Sequence, residues 1–412
     1  MQQSKIKTNV LIIGKSGVGK SSLLNYIFGK ELEKTGAGKP ISEGINTHDY
    51  EYDDEFVISI SDTEGWEPGE AEQWKNLIFK EVDSHDKKEI CEWFNTIIYC
   101  FSANSGRVED FEINIIKELL QEKNQVTVVI TNCDNENDNS DAGMSKRKSI
   151  KAMIDRITEK TGIAAAGVVP VCSVKKTLLN GKEVAPTGKE KIITLIIENL
   201  WKTFREKIPF KLYQYENNEY YGYATRISKV IKETSFLFHK EKKVSDVGNR
   251  VSNFLQDYDE SVRNDVDSLI QESSEYYHRL SKKYLNISWK YYYDDPHMPQ
   301  ISLEYINKVN ADVDNIIEAL HKSNKKIYNL FIKEDVSKEV IKNLLFEIMK
   351  NVKRSKEIRK TLDGIANKQI VEIHDRHINA LRKVKENIEA TNIEECYTKQ
   401  LELKKGDSLW LF

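Results

Sequence analysis

Apolar and polar positions alternate along the first half of the chain in two different rhythms. Residues 10–13 are four apolar β-formers in a row, which predicts a short buried strand ended by Gly14. Residues 21–28 follow with helical spacing. Residues 30–46 are polar and glycine-rich, carry neither period, and predict a loop. Residues 48–52 alternate as an edge strand, the acidic turn 53–55 follows, and residues 56–60 read as its partner. Beyond it the pattern predicts helices over 73–82, 108–120, 146–158 (with Ser145 as N-cap) and 192–204, and strands over 95–101, 126–130 and 167–171. Strands alternating with helices predict an α/β fold with a doubly wound, mostly parallel sheet.

From residue 210 the rhythm is almost purely helical. Val251, Leu255, Tyr258, Val262, Val266, Ile270, Tyr277, Leu280 and Tyr284 step by threes and fours, and Val313, Ile317 and Leu320 form a second stripe. Such stripes predict core positions of an all-α helical bundle or stalk. Residues 286–301, with Pro296 and Pro299, predict a loop that carries the aromatic run Tyr291, Tyr292 and Tyr293. The expected division is therefore 1–207 and 208–412.

Composition changes this picture little. The 412 residues include 31% charged and 39% hydrophobic side chains, and the net charge is −3. No general attraction to nucleic acid is expected. Five cysteines, none in a Cys-x-x-Cys pair, predict free thiols in a reducing compartment. The start of the chain has no apolar signal region and the apolar runs are too short to span a bilayer, so a cytoplasmic protein, at most peripheral to a membrane, is expected.

The chemistry gathers at strand ends. Gly14, Lys15, Ser16, Gly17, Val18, Gly19, Lys20 and Ser21, with Ser22 behind them, keep the spacing Gly, four residues, Gly-Lys-Ser between a strand and a helix. This is the phosphate-binding loop pattern in its required context. Backbone N–H groups of such a loop curl around phosphate oxygens, and the helix N-terminus adds its dipole. Lys20 would reach the β- and γ-phosphates and Ser21 would bind Mg2+. Asp62, at the end of the strand 56–60, is followed by Thr63, Glu64 and Gly65. The carboxylate would hold Mg2+ through water, and the Gly65 N–H would sense the γ-phosphate. Thr131, Asn132 and Asp134 close another strand, and Cys172, Ser173 and Val174 the next.

With these motifs, residues 7–205 resemble the G domain of the translation-factor-related GTPase class, in the branch of Era-like, GIMAP/Toc-like and dynamin-like GTPases. The resemblance implies GTP/GDP and Mg2+ as ligands. It implies that Asp134 takes the guanine N1 and N2 hydrogens, with Thr131, Asn132, Ser173 and Val174 around the base. The family has Lys where this chain has Asn132, a departure that weakens stacking on the base. The family also uses one Thr or Ser to join Mg2+ and the γ-phosphate, and Ser42 and Thr47 compete for that role. Strand pairing about the turn at 53–54 favours Ser42, which follows Pro40-Ile41 where the family often shows Pro-Val-Thr.

The groups that orient water are incomplete. Trp66 stands where Ras-like proteins carry Gln, and Gly17 where potassium-using members carry Asn. The expected function is a GTPase switch or assembly protein, slow as a monomer, catalysing through Lys20, Ser42 and Gly65. A homodimer through the G domain and a protein effector on the helical half are the expected partners. Two alternatives stay open: a dynamin-like or immunity-related mechanical GTPase on membranes, and a nucleotide-binding scaffold without turnover. His374 and His377, one helical turn apart, and the basic residues Lys350, Lys353, Arg354, Lys356, Arg359 and Lys360 are expected on solvated faces.

Overall fold

In a computed structural model of the chain, residues 5–29, 39–42, 45–63, 71–133, 141–177, 183–234, 240–293, 303–332 and 355–397 are described. The first strand, β1 (Ile6–Gly14), is nearly all buried, as a central strand covered on both faces must be. It starts four residues earlier than its apolar run predicts. The polar pair Thr8 and Asn9 is admitted because its groups are satisfied. Thr8 Oγ1 lies 3.1 Å from the Tyr284 hydroxyl, and the Asn9 amide donates to the carbonyls of Cys91 and Trp93.

Helix α1 (Lys20–Phe28) follows, then β2 (Lys39–Ser42), β3 (Ile45–Asp53), β4 (Phe56–Thr63) and α2 (Ala71–Asp86). After these come β5 (Phe94–Ser102), α3 (Asp110–Gln121), β6 (Val126–Thr131), α4 (Asp141–Thr161) and β7 (Val168–Pro170). The seven strands form one sheet in the order β2-β3-β4-β1-β5-β6-β7. The ladders β4-β1, β1-β5, β5-β6 and β6-β7 are parallel, and β3 runs antiparallel to both β2 and β4. The expected α/β sheet is thus present, mostly parallel and with a two-strand antiparallel edge. A small second ribbon pairs β8 (Lys176–Thr177) with β9 (Glu183–Val184).

One core cluster joins Leu11, Ile97, Tyr99 and Val128 of the sheet to Ile78 of α2, Ile116 of α3 and Met153 of α4. Several local expectations are corrected. Residues 39–42 and 45–46, expected in a loop, pair as strands, because a β2–β3 hairpin adds an edge to the antiparallel side. Ser145 lies inside α4, which starts at Asp141, so it is not the N-cap.

The helical half begins with α5 (Lys189–Glu233), 45 residues long and continuous through Pro209, where a shorter helix 192–204 was expected. A proline removes one ladder donor but does not by itself stop a helix whose faces are packed. Next come α6 (Lys240–Tyr293), α7 (Leu303–Ile332) and α8 (Ser355–Glu389). Residues 286–293, expected at the start of a loop, continue α6. A proline restricts only the residues beside it, so the prolines at 296 and 299 do not forbid helix over 286–293. Tyr291, Tyr292 and Tyr293 therefore sit on the last turn of a helix.

The chain groups into two units: Met1–Thr203 with Glu275–Val313 and Ile393–Phe412, and Phe204–Ser274 with Asp314–Asn392. The first unit is thus interrupted in sequence, and the second half of α6 groups with the sheet. Within that first unit Tyr284 packs on Phe28 and Phe56, with ring centroids 6.3 Å away in each case. Lys283 pairs with Glu55 at 2.9 Å on the β3–β4 turn. The Tyr276 hydroxyl donates to the Lys7 carbonyl at 2.7 Å.

The second unit contains a buried polar cluster that corrects the reading of His374 and His377. His377 is fully buried and pairs with Asp259 at 3.2 Å, and His374 pairs at 2.8 Å with the buried Glu216, which also accepts from Tyr258. Neither is a solvated surface residue. Among the described residues no group of three or more metal-ligating side chains forms. Of the basic cluster, Lys350, Lys353 and Arg354 lie outside the described residues, while Arg359 donates to the Thr234 carbonyl at 3.0 Å. Among the described residues no helix is long and apolar enough to cross a membrane.

Candidate functional site: a phosphate loop at the carboxyl end of the sheet

The loop 14–19 leaves the end of β1 and opens α1, on the edge where β4 ends in Thr63, just after Asp62, and β6 in Thr131. Its glycines are required by shape. At Gly14 (φ +143°) an added Cβ would stand 2.4 Å from the Cys100 carbonyl oxygen. Gly17 (φ +71°) and Gly19 (φ +93°) lie in the left-handed region, so successive N–H groups turn inward rather than along a strand. Cys100 lies fully buried under this loop. Burial, with Lys20 opposing and Asp62 adding, pushes its thiol up to about 12, so it stays neutral.

Lys20 is buried, an uncommon place for an ammonium without anions nearby. Its Nζ donates to the Gly14 and Lys15 carbonyls, both at 3.3 Å, and lies 3.9 Å from Asp62 Oδ1. The sequence motif thus brings together in space the cation and carboxylate that it predicts. Ser21 occupies the first turn of α1 beside them, and Ser22 is exposed. Val18 is buried and its carbonyl accepts from the Thr131 hydroxyl, which also lies 3.0 Å from the Phe101 carbonyl. That link between β6 and the loop has no signature in the sequence. Lys15 pairs with Glu109 at 2.6 Å, and Ser16 is exposed.

The two hydroxyl candidates hold different places on the hairpin. Asn46 pairs with Asp62 and Thr47 with Ser61 across the antiparallel ladder. Paired residues share a face and successive residues alternate. Thr47 therefore points to the face opposite Asp62, where its Oγ1 lies 2.7 Å from Ser61 Oγ. Ser42 ends β2 and pairs with Ile45, the residue before Asp62's partner Asn46 on β3. Its backbone is placed toward the site end of that hairpin, while its side chain is outside the described residues.

At the expected base site Asn132 has φ +58°, and its amide donates to Ser102 Oγ at 2.9 Å. It is spent on tying the β5 and β6 ends together. Ser173 is half-buried, and Val174 is exposed with its carbonyl accepting the Cys172 thiol. Asp134, Gly65, Glu64 and Trp66 lie outside the described residues.

These residues suit Mg2+ and a polyphosphate. The donors are hard oxygens, a hydroxyl of Ser21 and a carboxylate of Asp62, and the loop is a glycine cradle that Cβ atoms would fill.

Comparison with known proteins agrees with that chemistry. Residues 9–132 match the family described as 50S ribosome-binding GTPase. Cell division control protein 10 of Saccharomyces cerevisiae is 26% identical over 145 residues, covering 29% of this chain and 45% of that protein. Its Candida albicans counterpart is 25% identical over 144 residues, covering 29% and 40%. The chain thus spans less than half the length of the curated relatives it matches. Among solved structures, Toc33 from Arabidopsis thaliana in complex with Mg2+ and GMPPNP is 18% identical, with TM-score 0.31, covering 43% of this chain and 79% of that one. The septin GTPase domain of Chlamydomonas reinhardtii is 15% identical, with TM-score 0.33, covering 47% and 90%. By its motifs, its sheet and the match over residues 9–132, the first half of the chain is a P-loop G domain similar to that of the 50S ribosome-binding GTPase family.

Proposed function

We propose that the protein is a guanine-nucleotide switch that hydrolyses GTP to GDP and phosphate, with the helical half as its effector arm. The observation that carries this reading is the buried Lys20 ammonium, seated inside a glycine loop and 3.9 Å from Asp62. In this reading the loop N–H groups and Lys20 bind the β- and γ-phosphates, and Asp134 selects guanine. Mg2+ would be held by Ser21, Asp62 and Ser42, and would neutralise charge developing on the phosphates. Ser42 is preferred to Thr47 because the Thr47 hydroxyl is already bonded to Ser61. The Gly65 N–H would sense the γ-phosphate, so that residues 30–46 and 65–72 differ between the GTP and GDP states.

Neither Trp66 nor Gly17 orients water, so turnover by one chain is slow and a second G domain completes the site. Homodimerisation, a protein effector, a cytoplasmic location and peripheral membrane contact belong to this reading. The test is phosphate release from Mg·GTP and Mg·ATP by the wild type and Asp134→Asn. Release from GTP that the substitution shifts toward ATP supports the reading, and equal use of both by the wild type contradicts it. A second reading, a scaffold without turnover, draws on the motif departures at Trp66 and Asn132, which stand where the family carries a water-orienting Gln and a base-stacking Lys. Binding without phosphate release at any protein concentration would select it.

A further inference from the structure

The ion pair between Lys15 and Glu109 ties the phosphate loop to the start of α3. Glu109 is the residue preceding α3. A capping box pairs it with Glu112, whose carboxylate accepts the Glu109 N–H at 3.1 Å. Glu112 is itself buried, so this carboxylate pair is fixed to the helix rather than free on the surface. Glu109 Oε1 meets Lys15 Nζ at 2.6 Å, with Arg107 Nη2 3.8 Å away on the other side. Lys15 meanwhile offers its backbone carbonyl to Lys20 Nζ. One residue of the loop therefore has its side chain held by α3 and its backbone holding the phosphate-binding ammonium.

We propose that Glu109 is a positioning residue that restrains Lys15 and competes with the phosphates for its charge. The proposal rests on the nucleotide-binding reading of the loop. Paired with Glu109, Lys15 offers less of its charge to the phosphates, and that loss weighs more as the ligand's charge grows. The pair is about one-third exposed on each side, so its strength is that of a partly screened interaction and falls with salt. Glu109 thus lowers the preference of the loop for the triphosphate over the diphosphate. The nucleotide state is left reversible instead of locked by one additional cation.

Glu109→Gln removes the charge while keeping an oxygen for the α3 cap. Calorimetry with Mg2+ and a non-hydrolysable GTP analogue, then with Mg2+ and GDP, at low and high salt, reads the effect in wild type, Glu109→Gln, Lys15→Gln and the double variant. Glu109→Gln should bind the triphosphate about threefold to tenfold tighter and GDP less than twofold tighter, with the gain shrinking at high salt. In the Lys15→Gln background the same change should give little gain. Equal weakening toward both nucleotides would assign Glu109 to the helix cap alone, and a gain that persists without Lys15 would remove Lys15 from the device; either result overturns the proposal. A wild type that binds neither nucleotide overturns the loop reading itself, whereas normal binding without these shifts overturns only the role of Glu109.

Discussion

At Gly14 the backbone and a neighbouring strand leave no room for a side chain: the added Cβ meets the Cys100 carbonyl at 2.4 Å with φ at +143°. Gly14→Ala should therefore cost about 2–4 kcal/mol of unfolding free energy and weaken nucleotide binding, as read by denaturant titration with and without ligand. An unchanged midpoint would contradict the geometry. Single residues also decide the magnesium ligand. Ser42→Ala should impair triphosphate binding or hydrolysis and spare GDP. Thr47→Ala should leave both, because its hydroxyl meets Ser61 on the far face of β3. The reverse result in nucleotide titrations would reassign the ligand to Thr47.

Those residues were legible in the sequence where spacing alone defines them, as from Gly14 to Ser21. They were not where a role depends on distant partners. Thr131 touches Val18 and Glu109 touches Lys15 only because three strand ends converge, and no local pattern encodes that convergence. Asn132 shows the limit from the other side. Its motif position suggests the base, and its amide bond to Ser102 is not legible there.

At the scale of elements, hydrophobic period located the strands and most helices, and failed where polar groups are satisfied inside. Thr8 and Asn9 hid the start of β1, since their partners come from Tyr284 and from residues 91–93. Pro296 and Pro299 suggested a loop whose first eight residues are the end of α6, because a proline constrains its immediate neighbours and not the turns before them. The histidines of α8 read as surface because their carboxylate partners lie on other helices.

The same packing gives a test of α6. Tyr284 is buried against Phe28 and Phe56 with its hydroxyl on Thr8. Tyr284→Phe should cost about 1 kcal/mol through the orphaned Thr8 hydroxyl, and Tyr284→Ala about 3–5 kcal/mol through the cavity. Chemical denaturation checks both; equal and small losses would mean that this part of α6 does not hold the sheet. The buried Glu112 adds a pH signature to α3. Burial raises its carboxyl above the usual range, while the Glu109 N–H and Lys15 oppose the rise. An acid whose folded pKa is raised costs stability once pH exceeds its unfolded value, and the cost is complete above the folded value. Glu112→Gln should thus gain more stability at pH 7 than at pH 4, measured by thermal unfolding, and a gain independent of pH would contradict the raised pKa.

For the whole molecule, the proposed switch joins an α/β sheet with a phosphate loop to a long helical half. With no water-orienting side chain at Gly17 or at Trp66, activity per chain should rise with protein concentration. A group supplied in trans can raise phosphoryl-transfer rates by about 10³–10⁵. Flat activity per chain across a wide range, with monomers in every nucleotide state by light scattering, would contradict self-completion.

The central claim is that the loop at Lys20 binds a guanine nucleotide, and calorimetry with Mg2+ tests it most directly. The wild type should bind GDP and a non-hydrolysable GTP analogue in preference to the matching adenine nucleotides. Lys20→Ala, whose fold is checked by circular dichroism, should lose that binding, since Lys20 is the buried cation of the loop. Undiminished affinity in a folded Lys20→Ala protein, or equal affinity of the wild type for guanine and adenine nucleotides, would contradict the account.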